Sequence, residues 1–313
     1  MCTAVFDNGC GNLFGRTLDL EYSLDEEIVI CDKKYPLAFR HVGGVERKFS
    51  IMGAAIVREG FPLFYDGVNE SGLAAAALNF PISAKYSDYR CHKTNLASFE
   101  VIPYVLGYCA SLAEVRELLQ NVNITSEGFS SELLPSPLHW MFADKSGTLV
   151  VEATADGLKI FENPIGVLTN EPSFDFQLLR LADYSSIDVK SPKNTLCTNF
   201  QPTAYSRGLG GFGLPGDFSS FSRFVRAVFV KNHISTCGAD KVERFFHIMR
   251  SVSVPRGCVI TDEGREVETV YTSCIDLDAP TYYYTTYSDS KIRAVSIRDG
   301  DGVELFRRLM KIR

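Results

Sequence analysis

The chain has 313 residues, 45% hydrophobic and 22% charged: enough apolar material for a sizeable core and the composition of a folded rather than a disordered protein. Its formal net charge is -6, and its 32 basic residues never run longer than a pair, which argues against nucleic acid as a partner. No stretch approaches the roughly 18 consecutive apolar residues of a spanning helix, and the N-terminus lacks the charged start and apolar middle of an export signal, so a cytoplasmic protein with no membrane partner is expected.

Thr3–Phe6, Asn12–Thr17 and Glu27–Cys31 read as short strands separated by Asn-Gly, Gly-Asn and Asp-Glu punctuation. Lys48–Val57 and Leu73–Phe80 are apolar runs rich in small residues, the pattern of segments buried on both faces of a sheet or under helices. A helix is expected over Phe99–Cys109. Ser111-Leu-Ala-Glu114 is a capping box that opens another, with Val115, Leu118 and Leu119 at helical spacing. Leu138–Ala143, Thr148–Thr154 and Leu158–Glu162 read as strands, the last two joined by a hairpin turn at Ala155-Asp156-Gly157.

Phe174–Tyr184 and Ser222–Val230 are predicted helices. Between them, Gly208-Leu-Gly210-Gly-Phe-Gly213 has the spacing of a dinucleotide-binding turn, but no apolar strand precedes it and Leu214-Pro215-Gly216 follows where a helix should start; it is a glycine-rich loop. Val242, Phe245, Phe246 and Met249 recur at i, i+3, i+4, i+7 and predict an amphipathic helix. Glu268–Ile275, Tyr282–Tyr287 and Ile292–Ile297 close the chain as a three-stranded meander. This order is α+β, and without repeats or a linker it predicts one domain over residues 1–313.

The nine cysteines are odd in number and contain no CxxC pair, which predicts reduced thiols with neither a disulfide framework nor a zinc site. His41, His92, His139, His233 and His247 show no metal spacing, and no cofactor is expected. A histidine-dependent cysteine hydrolase would need one of them beside a cysteine, and no feature nominates a pair. His139, before Trp140 in an apolar strand, and His247, in the amphipathic helix, read as packed or boundary residues.

Cys2 stands one peptide bond behind Met1. Removal of Met1 would place a thiol and a free α-amine on one residue, and an α-amine with an ordinary pKa of about 7.7–8 can take the thiol proton without a histidine. A small buried hydrophobe opening a strand is the alternative. A site of this kind needs a cation beside the thiol, a carboxylate for the amine and neutral donors for an oxyanion. Arg16 and Asp19, in a second strand able to hairpin back beside Cys2, supply the two charges; a surface ion pair is their plainer reading.

Seven colinear segments, MCT at the start, LFGRTLDLEYS at 13–23, DGVNESGLAAAALNFP at 66–81, LHWMFAD at 138–144, GVLTNEPSFDFQL at 166–178, GLPGDFSSFSRFVR at 213–226 and TVYTSC at 269–274, together resemble the choloylglycine hydrolase family of bile salt hydrolases and penicillin V acylases. The resemblance implies a four-layer αββα N-terminal nucleophile hydrolase with mostly antiparallel sheets. It implies Cys2 as nucleophile and its α-amine as base, Arg16 as the cation at the thiol, and Asp19 as the carboxylate that fixes the amine. Asn170 and the backbone N–H of Asn79 become oxyanion donors, and Arg223 the second arginine of the site. Asn79, where penicillin V acylases more often carry tyrosine, points to the bile-salt branch. The implied substrate is a glycine- or taurine-conjugated bile acid; penicillin V, or silent binding of sterol-like amphiphiles on the same scaffold, is the alternative. Leu18, Leu20, Tyr65, Asn79, Phe129 and Leu133 are candidate pocket residues. Ser191–Arg207 falls where the family has an assembly loop, which implies a homotetramer.

Overall fold

Described residues 1–43, 46–238, 240–300 and 306–311 of a computed structural model form strands and helices in this chain order. The N-terminal third holds β1 (Cys2–Asp7), β2 (Leu13–Leu20), β3 (Glu27–Cys31), β4 (Ile51–Arg58), β5 (Phe61–Phe64), β6 (Asp66–Asn69), β7 (Ala74–Asn79) and β8 (Thr94–Ala97). The middle holds α1 (Val101–Tyr108), α2 (Leu112–Leu119), β9 (Val122–Thr125), β10 (Leu138–Asp144), β11 (Gly147–Thr154), β12 (Gly157–Glu162), β13 (Val167–Leu168) and α3 (Phe174–Arg180). Last come α4 (Ser220–His233), α5 (Lys241–Arg250), β14 (Glu268–Asp276), β15 (Thr281–Thr286), β16 (Arg293–Ser296) and β17 (Phe306–Lys311).

Two antiparallel sheets result. One runs β13-β1-β2-β14-β15-β16, and the other runs β12-β11-β10-β7-β6-β4-β3-β17 with β5 paired to β4. Period-two alternation then fixes the layers. Ala74, Ala76 and Leu78 of β7 enter the core shared with β1 and β2, while Ala75 and Ala77 enter the core shared with α1 and α2. Met141 and Ala143 of β10 face the first core, and Trp140 and Phe142 the second. The other face of the first sheet is covered by Phe224, Val225, Phe245 and Met249 from α4 and α5. The layers are therefore α, β, β, α, and the small residues of β7 are what a strand covered on both faces requires.

Three details depart from the sequence reading. The helix expected from Phe99 opens as a 3₁₀ turn at Ser98–Glu100, and the one expected to run to Tyr184 tightens into 3₁₀ from Leu181. The Ser111 hydroxyl accepts the Glu114 N–H at 3.4 Å, but the Glu114 carboxylate takes the N–H of Ala110 at 3.0 Å, one residue before the predicted partner. β5, β6, β8, β9, β13 and β17 lie outside the sequence reading; the first five have four residues or fewer, too short to show a period.

Gly15 sets the geometry of the second strand. A Cβ on it would stand 2.1 Å from the carbonyl oxygen of Ser273, so only glycine lets β2 and β14 approach here, and Arg16 follows it directly.

Candidate active site

Cys2 opens β1, buried, with Leu18 of β2 opposite it. The β1–β2 register places Arg16 two residues before Leu18, opposite Ala4, and its side chain reaches back to the thiol: Arg16 Nη2 donates to Cys2 Sγ. The guanidinium is fully buried, and three backbone carbonyls hold it, Thr17 at 3.2 Å from Nε and Tyr65 and Ala77 at 3.1 and 2.6 Å from Nη1. Burial alone would lower its pKa, but the neighbouring Cys2, Tyr271, Asp66 and Asp19 outweigh that and raise it, so it stays a cation.

The backbone of Cys2 is held independently of its sulfur. Its N–H donates to Asn170 Oδ1 at 2.9 Å, and its carbonyl accepts from Arg223 Nη1 at 2.6 Å. Arg223 comes from α4, is fully buried, and also donates from Nη2 to Asn170 Oδ1 at 2.7 Å. It reaches the cysteine through the main chain, not the thiol. Asn170 follows β13 and is itself clamped: Ser220 Oγ accepts its N–H at 2.9 Å, and Gln177 Nε2 donates to its carbonyl at 2.7 Å.

Asp19 is buried near the end of β2. Its carboxylate accepts from Thr269 Oγ1 at 2.7 Å and Thr17 Oγ1 at 3.1 Å, with Arg223 Nη1 at 3.9 Å. The N-terminal ammonium on Met1 donates to the Asp19 carbonyl at 2.6 Å, and the N–H of Asp19 donates to the Met1 carbonyl at 3.0 Å. Asn79 ends β7, and its carbonyl accepts Asn170 Nδ2 at 2.8 Å. The N–H of Phe80 donates to Pro137, which makes Asn79 and its β10 partner Leu138 a non-hydrogen-bonded pair. The N–H of Asn79 is thereby turned to the same edge as that of Ala77, the edge on which Arg16 grips the Ala77 carbonyl.

A cavity of about 390 Å³ opens beside Cys2. All six pocket candidates, Leu18, Leu20, Tyr65, Asn79, Phe129 and Leu133, line it together with Met1, Cys2 and Arg16. Burial pushes the Tyr65 hydroxyl well up, so this phenol is neutral. The sequence reading missed Tyr22, Ile56, Phe99, Ile102 and Trp140, which are among the further apolar and aromatic side chains of the wall. Phe99 gave no sequence signal, because what ties it to the candidate Phe129 is tertiary: their rings meet edge-on at 5.4 Å, and Arg40 lies over both at 5.8 Å.

The histidines stand apart from this chemistry. His139 stacks on Phe80 at 4.3 Å and bonds the Thr169 carbonyl at 2.8 Å and Glu152 at 3.2 Å, as a buried packed residue; His247 lies on the exposed face of α5. All nine cysteines are free thiols, and among the described residues no helix is long and apolar enough to cross a membrane.

A family model described as linear amide C–N hydrolases, choloylglycine hydrolase family, matches residues 2–301. A bile salt hydrolase/transferase from Lactiplantibacillus plantarum is 45% identical over 95% of this chain and 92% of its own length. The solved structure of a conjugated bile acid hydrolase from Clostridium perfringens superposes with a TM-score of 0.90 at 34% identity, covering 99% of this chain and 97% of that one. A penicillin V acylase from Agrobacterium tumefaciens shares the fold more distantly, with a TM-score of 0.73 at 23% identity over 95% of this chain and 86% of that one.

Proposed function

Because the chain belongs to the choloylglycine hydrolase family of linear amide C–N hydrolases, we propose that it cleaves the amide of glycine- or taurine-conjugated bile acids through a thioester on Cys2. The observation that carries this reading is the convergence of Arg16, Asn170 and Arg223 on one cysteine at the mouth of an apolar cavity. A cavity of this size with a few converging polar groups suits a broad apolar acyl body.

The reaction begins with removal of Met1, which frees the α-amine and clears a residue that lines the cavity. The amine takes the thiol proton, and Arg16 stabilises the thiolate. Sγ attacks the amide carbon; the oxyanion is received by the Asn79 N–H and by the Asn170 Nδ2 hydrogen not used on the Asn79 carbonyl. The α-ammonium, held by Asn170 Oδ1 within the field of Asp19, gives its proton to the leaving nitrogen, and the C–N bond breaks. Water then attacks the thioester and loses a proton to the amine; the C–S bond breaks and the bile acid leaves. A free amine in place of that water would give acyl transfer; the name of the plantarum relative, bile salt hydrolase/transferase, includes a transferase.

The test is the release of glycine or taurine from conjugated cholate by protein whose mass lacks Met1. We expect kcat/KM for conjugated cholate to exceed that for penicillin V by at least about 10²-fold, the span of a few apolar contacts won or lost in a pocket. A preference for penicillin V would transfer the assignment to the acylase branch. A silent amphiphile binder is disfavoured because burying two arginines and a carboxylate around a thiol is a cost that binding alone does not require.

The assembled form in this proposal is a cytoplasmic homotetramer. Nine unpaired thiols suit a reducing compartment. Segment 191–207 exposes Leu196, Phe200 and Tyr205, and Phe212 beyond it is 84% exposed, an apolar surface of the kind subunits cover. Light scattering should give four times the chain mass of 34.8 kDa; a monomer would remove this part of the reading.

A further inference from the structure

Next to Tyr65, whose carbonyl accepts from Arg16 Nη1, lies a buried carboxylate that the reaction above does not use. Asp66 is fully buried at the start of β6. Its Oδ1 accepts from the Tyr282 hydroxyl at 2.6 Å, and its Oδ2 from the Ser273 hydroxyl at 2.9 Å and the Tyr271 hydroxyl at 3.1 Å. The N–H of Ala54 reaches Oδ1 at 3.4 Å. Ser273 Oγ in turn accepts the backbone N–H of Arg16 at 3.1 Å, which leaves its own hydrogen for Asp66. Every neighbour therefore donates to this group, the pattern a carboxylate needs.

Asp66 and the Arg16 guanidinium form no direct ion pair, yet each acts on the charge of the other. Burial pushes the Asp66 carboxyl up, and the net direction stays upward although Arg16, the hydroxyls of Tyr282 and Ser273 and the N–H of Ala54 pull it down; a ring of donors is what favours its ionised form. Tyr271 and Tyr282 are held protonated by burial and by the same carboxylate, so both serve it as donors.

Arg223 lies 3.9 Å from Asp19, while the Arg16 guanidinium sits on the carbonyl of Tyr65, the residue next to Asp66, and feels the Asp66 charge; Ser273 ties the same carboxylate to the Arg16 backbone. Cys2 is surrounded by Arg16 and Asp19 from β2, Arg223 from α4, the neutral phenol of Tyr65 and the amide of Asn170, with its own α-amine once Met1 is gone. When the thiol ionises, Arg16 has two anions to satisfy.

We propose that Asp66 is a positioning residue of the reaction: its carboxylate shares the Arg16 charge with the Cys2 thiolate and keeps that thiolate basic enough to be an effective nucleophile. An arginine given wholly to the thiolate would ionise the thiol at lower pH, but a weaker base is a weaker attacker. The inference rests on Cys2 being the nucleophile.

Asp66→Asn tests it, because it removes charge while the Thr17, Tyr65 and Ala77 carbonyls still hold Arg16. The readout is the rate of Cys2 alkylation by iodoacetamide against pH, followed by peptide mass spectrometry on protein lacking Met1. Thiol and amine titrate together, so the acid limb belongs to the pair. In Asp66→Asn the limb should move down by about one pH unit, the effect of one nearby charge, and the plateau rate should fall about threefold. Ser273→Ala keeps the charge and should leave the limb in place. If Asp66→Asn does not fold, Asp66→Ser, equally neutral and smaller, is read the same way.

An acid limb that stays put or moves up in the neutral variant overturns the proposal, as does an equal shift in Ser273→Ala. A carboxyl protonated throughout would give the first of these results. Wild-type Cys2 that iodoacetamide never modifies would instead overturn the nucleophile itself, and the role of Asp66 with it.

Discussion

Cys2→Ala is expected to leave no measurable release of glycine or taurine from conjugated cholate, with a thermal midpoint within a few degrees of wild type. Loss of a covalent nucleophile costs on the order of 10⁶-fold in kcat where the rest of the site has no substitute. The other nucleophilic side chains on the cavity wall, Ser98, Ser136, Tyr22 and Tyr65, lack the contact that Arg16 makes with Cys2 Sγ. The variant should fold because the cysteine is held by its main chain, with N–H to Asn170 and carbonyl to Arg223, and these bonds do not involve sulfur. Arg16 loses one partner and keeps three carbonyls. Removing one small buried atom costs about 1 kcal/mol, or a few degrees in a chain of this size. Activity persisting in Cys2→Ala would overturn the mechanism; an inactive but unfolded variant would show that the sulfur holds the β1–β2 pair together.

How far the sequence reveals this site follows the distance over which its contacts run. Cys2, Arg16 and Asp19 lie within one hairpin, so strand patterning and a turn suffice to bring them together. Asn79, Asn170 and Arg223 are different. The bond between Asn170 and Asn79 spans 91 positions and that between Arg223 and Cys2 spans 221; no periodicity relates such residues, and only the order of the seven matching segments pointed to them. The double-sided burial of β7 is visible in its small residues because both faces impose the same demand.

Asp66, Tyr271 and Ser273 lie in matching segments, but the resemblance gave them no role and no periodicity joins them. A carboxylate ahead of Gly67 reads as a turn residue, and its three hydroxyl partners lie more than 200 positions away on β14 and β15. Tyr271, Ser273 and Tyr282 look like ordinary strand residues until the sheets pack. β8 and β9 escaped for another reason: four residues each, paired in parallel across α1 and α2, they are too short for alternation to show.

Asn170→Ala is expected to lower kcat by at least about 10²- to 10³-fold, the cost of one oxyanion donor, while KM changes only a few-fold. The split follows from position. Asn79 lines the cavity and Asn170 does not, so a substrate's acyl body meets the former and the reacting centre depends on the latter. The Asn170 side chain is shared three ways: Oδ1 accepts from the Cys2 nitrogen and from Arg223, and Nδ2 donates to the Asn79 carbonyl. Alanine removes the donor and also leaves Arg223 Nη2 short of a partner, a buried loss of about 1–3 kcal/mol in stability. The backbone should stay in place, because Ser220 and Gln177 grip it on both sides. Asn170→Asp separates the two duties of this residue. It keeps an oxygen for the amine and for Arg223, but turns a second oxygen toward the Asn79 carbonyl, where a donor had been. If the donor matters most, Asp should be as slow as Ala in steady-state release of glycine; a rate near wild type in Asp would assign the side chain to holding the amine and leave the oxyanion to the N–H of Asn79.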